Sequence, residues 1–256
     1  MILAIAGKEL KALFASPLAW VILTVMQFLF GYNFLRRIDD FLQIRPRLSH
    51  MASPPGATEL VAAPTFGTAA VVLLFAVPIL AMRLIAEERR NRTMVFLTSA
   101  PVSVTAIVLG KFFGLMGFLL VVIGLVVLMP FALAGSTALD YGLIASLTVG
   151  IVLLAACFAA VSLYVSSLTT HPLIAAMGAF SALLAMLLAG ETAGDSLRAR
   201  DWQLPAALMQ VFTPVSNFEP LGRGLIDTYS IACSLLLTAL FIVMAIRRLD
   251  ASRLRG

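Results

Sequence analysis

The stretch Met82-Arg83-Leu84-Ile85-Ala86-Glu87-Glu88-Arg89-Arg90-Asn91-Arg92-Thr93 decides how this chain is read. Six of its twelve residues are Arg or Glu, in a chain that is 12% charged, and uncharged segments lie on either side. A single charge at the centre of a bilayer costs about 3 kcal/mol or more on insertion scales, so a block this dense stays in water. The flanking apolar runs are therefore read as membrane spans, and the block as a water-facing loop or short helix between them.

Working outward, the composition agrees. The chain has 256 residues, 61% of them hydrophobic, with a mean hydropathy of +1.02. Soluble domains are about 45–50% apolar, so the class is a polytopic helical membrane protein. The net charge of +5 reflects basic residues that flank apolar runs, a pattern of membrane orientation rather than of nucleic-acid binding.

Upstream, residues 1–16 read as an amphipathic helix with Leu3, Ala6, Leu10, Leu13 and Phe14 on one face and Ala4, Lys8 and Lys11 on another. Too short to span, it is expected to lie in the interface plane against lipid phosphates, with Ser16-Pro17 turning the chain into the membrane. No small-x-small cleavage site follows, so it is not read as a signal peptide. The first span is set at about 18–35. Residues 36–65, with Pro46, Pro54, Pro55 and Pro64, read as an outer loop. The second span, about 66–84, holds Pro78, expected to kink it.

Downstream of the block, the third span is set at about 105–134. Residues 141–190 carry no Asp, Glu, Lys or Arg, too long a run for one crossing of a core about 30 Å thick. They divide at Thr169-Thr170-His171-Pro172 into spans of about 141–168 and 172–190. Residues 191–229 read as a second outer loop, and the sixth span as about 230–246, closed by Arg247-Arg248. Eleven of the Lys and Arg residues fall on the side of the two termini and the block and seven on the other. Both termini are therefore expected to be cytoplasmic.

Several chemistries are excluded. Gly110-Lys111 is not a phosphate loop, because Thr105 and Phe112 stand where that motif needs Gly and Ser or Thr. Lys111 is instead read as a lysine snorkelling at a helix start. With only His50 and His171 there is no histidine cluster for a metal, and His171 reads as a polar turn residue. Cys157 and Cys233 read as buried small apolar side chains and leave the redox compartment open. No nucleophile–base spacing supports an enzyme. The spans as set contain no Asp, Glu, Lys or Arg at mid-depth, which disfavours ion-coupled transport and puts any energy source on another subunit. Gly110, Gly114 and Gly117, and the face Ala155, Ala159, Ser162 and Ser166, mark close helix approach, either inside one bundle or between two chains.

Ala86-Glu87-Glu88-Arg89-Arg90 with Thr93, Leu97-Thr98, Pro101 and Gly110-Lys111-Phe112 resembles the signature of ABC-2-type transporter permeases, closest to the gliding-motility-type subgroup, with nitrous-oxide-reductase maturation permeases as relatives. Lys8-Glu9-Leu10 with Phe14, Ser16 and Pro17 is similar to that family's elbow. Phe212-Thr213-Pro214, Asn217-Phe218 and Arg223-Gly224-Leu225-Ile226-Asp227 resemble its segment before the last span. Arg92 replaces a usual Gly, Val95 or Phe96 a frequent Glu, and Asn217 a common His.

The resemblance implies an all-α membrane domain over 1–256. It has six transmembrane helices, an elbow helix at 1–16, a cytoplasmic coupling helix at 87–103 between spans 2 and 3, and re-entrant helices before span 6. It implies a bacterial inner-membrane permease, paired with itself or a related chain, with two ATP-binding subunits docked beneath. ATP and magnesium would sit on those partners and no cofactor on this chain. Glu87, Glu88, Arg89, Arg90, Arg92, Thr93, Met94, Phe96 and Leu97 are the expected docking residues; Phe212, Pro214, Asn217, Phe218, Glu219, Arg223 and Asp227 the expected outer gate. For the gate, the plainer alternative is that Arg223 and Asp227, four apart, merely pair on a helix surface. Export is the expected direction; the rival is a component that transmits ATP-driven motion to a maturation, motility or secretion assembly without passing a substrate. The substrate class, whether polysaccharide, lipid, peptide or small molecule, stays open.

Overall fold

The computed structural model describes residues 1–48, 55–90, 103–198 and 211–253. Among them every long element is a helix, and six are long and apolar enough to cross a membrane. In lipid this is the expected solution, since only a helix satisfies each backbone N–H and C=O within its own segment.

Helix α1 (Ile2–Ala15) is followed without a loop by α2 (Pro17–Leu48). Proline suits this start because the first helical N–H has no intrahelical acceptor. Residues 36–48, read as loop from their charge and proline, continue α2 beyond its apolar portion. Charges such as Arg36 and Asp39 end a membrane crossing, but a helix of Leu, Gln, Ile and Arg can run on into water. Pro46 falls in the last turn, two residues before the helix ends.

The second span is longer than its apolar run suggests. It opens with a π-turn (Thr58–Ala62), continues as α3 (Ala63–Met82), widens into a second π-turn (Arg83–Glu87), and ends at Glu88–Arg90. The second widening has a visible cause. The Ser166 hydroxyl accepts from the Ala86 N–H at 3.1 Å and donates to the Met82 carbonyl at 3.3 Å. These two groups would bond each other in a regular α-helix, so an inserted hydroxyl opens the turn.

After that come α4 (Val104–Phe131), α5 (Tyr141–Leu168), α6 (Pro172–Arg198), the short α7 (Pro214–Gly222) and α8 (Thr228–Arg253). Ser103 caps α4 through the Ala106 amide and Asp140 caps α5 through that of Leu143. The apolar stretch of α6 gives way near Ala189, yet the helix runs on to Arg198, so part of the expected second outer loop is helical. The Thr169–His171 turn is closed by the His171 N–H on Thr169 Oγ1.

α3 and α5 are the most enclosed of the spans; α2, α6 and α8 keep much of their apolar surface outward. The small face of α5 points inward: Ala155, Ala159, Ser162 and Ser166 are all buried within this one chain. Small side chains let helices approach where lipid offers no hydrophobic drive to associate.

Candidate functional site

Two ends of the bundle carry polar groups. At one end gather α1, the end of α3, the start of α4 and the end of α5; at the other lie Thr58, Asp140 and α7, with the Asp140 N–H on Thr58 Oγ1 at 3.0 Å.

The first end is built on glycine. A side chain at Gly110 would strike Ile5 Cβ at 2.6 Å, and one at Gly114 would strike Glu9 Cβ at 2.6 Å and the Ala6 carbonyl at 3.0 Å. The Gly110–Gly114 spacing is therefore a seat for α1. That seat fixes which α1 residues turn inward: Leu13 and Glu9 are buried, whereas Leu3, placed on the apolar face by spacing, is exposed. Phe14 completes the contact against Phe118, ring centres 5.1 Å apart.

Burial of Glu9 requires a partner, and it has one. Lys111 is fully buried, with Nζ 3.0 Å from Glu9 Oε1 and 2.8 Å from Glu88 Oε1. Lys8 closes the group from outside, 3.6 Å from Glu9 and 3.9 Å from Glu88. Lys111 is thus a buried counter-ion rather than a snorkelling side chain. It also places an ionisable group inside the third apolar helix, near its start. Sequence reasoning missed the cluster, although Glu9 falls at helical spacing with Ile2, Ile5 and Leu13, an acid in an apolar stripe.

Of the expected docking residues, Arg92, Thr93, Met94, Phe96 and Leu97 lie outside the described residues. The other four do different work. Glu87 accepts from Arg83, Nε to Oε2 at 2.7 Å, and Arg83 also donates to Ser16 Oγ at 2.7 Å. Glu88 turns in toward Lys111, Arg89 is half-buried, and Arg90 is exposed. The expected docking element is therefore rooted by Glu87 and Glu88 and displays Arg90.

At the other end α7 packs on α5. The Ser146 hydroxyl donates to the Leu221 carbonyl at 2.8 Å, and Gly150 leaves room for Phe218, whose ring a β-carbon there would meet at 2.9 Å. A cleft of about 480 Å³ is lined by Thr213, Ser216, Phe218, Glu219 and Arg223, with Leu187 across it. Pro214 and Asn217 are buried behind that lining and Phe212 is exposed just before it. Both amide atoms of Asn217 lack a hydrogen-bond partner among the described residues.

The Arg223–Asp227 pair does not form. Arg223 donates to Glu219 Oε1 at 2.6 Å. Asp227 instead caps α8, accepting from the Ser230 hydroxyl at 2.8 Å and the Tyr229 N–H at 3.1 Å. Those bonds hold its carboxyl below the ordinary range, the Ser230 hydroxyl contributing most. Thus α7 brings together Glu219, Arg223 and Phe218, and leaves Asp227 as a cap.

Among the described residues no group of three or more His, Cys, Asp and Glu could hold a metal ion. No curated protein matches the chain. Residues 3–254 match the family described as ABC-2 family transporter protein. With six apolar helices and a match over almost its whole length, the chain belongs to the ABC-2 transporter family and is the multi-pass permease component of an ABC transporter.

Proposed function

We propose that this permease is an exporter subunit that pairs with a second permease chain and is driven by two ATP-binding subunits. They dock on the segment from Glu87 to Leu97. α1 serves as the interfacial elbow, α7 as a re-entrant helix at the outer gate, and both termini face the cytoplasm of a bacterial inner membrane. One observation carries this reading. The turns that follow α3, Arg83–Arg90, are braced against the α1–α2 corner, α4 and α5 by Ser16, Lys111 and Ser166, so a push delivered there reaches helices other than α3. A solvated loop that merely set topology would need no such bracing.

The bracing also selects the test. Reversing Glu88 breaks the Lys111 cluster and so confounds docking with folding. Arg90→Glu changes an exposed charge only. The expected result is that Arg90→Glu leaves the melting temperature within about 1–2 °C of the parent, since surface changes stay within about 0.5 kcal/mol. It should lower the yield of the ATP-binding subunit that co-purifies with the full chain from its native membrane. Unchanged yield and unchanged ATPase activity would sink the docking assignment. ATP-dependent substrate movement in proteoliposomes separates export from mechanical transmission alone.

A further inference from the structure

The buried cluster around Lys111 joins three helices, and docking alone gives it nothing to do. We infer that Lys111 is a positioning residue, which makes α1 and the end of α3 move as one body when the Arg83–Arg90 segment is displaced. The inference rests on the reading of that segment as the place where an ATP-binding subunit acts.

The geometry supports a linked device rather than a stabilising contact. Lys111 Nζ holds one oxygen from α1, Glu9 Oε1 at 3.0 Å, and one from the end of α3, Glu88 Oε1 at 2.8 Å. With Lys8 at the rim, two cations and two carboxylates sum to zero. Sliding α1 away from the Arg83–Arg90 segment would leave the Lys111 ammonium, whose side chain is 1% exposed, short of one of its carboxylates. Breaking a buried pair in this way is far more costly than replacing it whole with apolar side chains, which is often neutral or stabilising. Stability alone would thus be served by Leu and Met. What a charge cluster adds is register.

A second tie makes the body rigid. Arg83, held by Glu87, donates to Ser16 Oγ at the corner between α1 and α2. Glu9 and Ser16 lie about 10 Å apart along the chain's rise in α1. One tie would let α1 pivot, whereas two fix its direction as well. Gly110 and Gly114 bring the backbones close enough for the short Lys111 contacts.

The test is hydrogen–deuterium exchange of the full chain in lipid nanodiscs. Lys111→Met and the milder Glu9→Gln should speed exchange on the order of tenfold in α1 and in residues 84–90 together, with α5 unchanged. The conservative variant Lys111→Arg keeps a cation between Glu9 and Glu88 and should protect both segments better than Lys111→Met. With the co-purified ATP-binding subunit trapped by ADP and vanadate, the parent should change protection in α1 as well as in 84–90. Glu9→Gln should change it in 84–90 only. Loosening confined to one segment, protection in Lys111→Arg no better than in Lys111→Met, or a trapped-state response identical in parent and Glu9→Gln would each overturn the inference. If no ATP-binding subunit is retained, the docking assignment fails, while the first two measurements still decide whether Lys111 joins the segments.

Discussion

At the scale of single residues, space and charge act together. Gly114 has backbone and side-chain atoms of α1 within 3.0 Å of where a β-carbon would sit, while Gly124 on the same helix has nothing within 4 Å. Gly114→Ala should therefore cost about 1–3 kcal/mol through overpacking, whereas Gly124→Ala should be neutral or slightly stabilising. Thermal unfolding of the two variants in one detergent reads the difference. Asn217 presents the opposite case, a buried amide whose partners are missing among the described residues. Asn217→Leu should stabilise the chain by about 1–2 kcal/mol in the same assay, because the desolvated amide is no longer stranded. If transport falls while stability rises, the amide serves the outer site. Little of this was legible in the residue string. Spacing alone places Glu9 among apolar neighbours, but only the seat at Gly110 and Gly114 shows which way that stripe turns.

At the scale of elements, hydrophobicity located the helices well and their ends poorly. α2 outlasts its apolar run because helix propensity does not stop where the bilayer does. The widened turn at Arg83–Glu87 depends on a hydroxyl eighty residues away in sequence, Ser166, which no local pattern reveals. The start of α8 is local and can be tested by pH. Asp227 is held below the ordinary carboxylate range by Ser230 and Tyr229. A depressed carboxyl contributes stability that is present above its unfolded pKa and is lost as pH falls through its folded pKa. Unfolding midpoints measured from neutral pH down through the acid range should therefore fall less steeply for Asp227→Ala than for the parent. The variant should already be less stable at neutral pH, where the cap is missing.

At the scale of the whole molecule, six helices are long and apolar enough to cross a membrane, and one crossing by each would put both termini on one side. With Cys157 and Cys233 buried in the bundle, background labelling should be low. An impermeant maleimide added to oriented vesicles should thus label Leu3→Cys and Arg248→Cys from one face and Leu225→Cys only from the other. All three positions are exposed. Labelling of all three from one face would contradict the bundle. The class and the number of spans followed directly from uncharged run lengths, because bilayer thickness is a strong constraint. The polar cluster did not, because a lysine near a helix start looks the same whether it reaches for water or for two carboxylates.

The Glu9–Lys111 contact joins residues 102 apart in sequence. During synthesis the first helix therefore emerges long before its counter-ion exists. At about 5–20 residues per second, some five to twenty seconds pass before Lys111 is made. Through that interval Glu9 belongs in water or among headgroups, and α1 cannot take its final seat. Helix α1 is thus made 102 residues ahead of its counter-ion, and its docking onto α4 marks completion of the first half of the bundle.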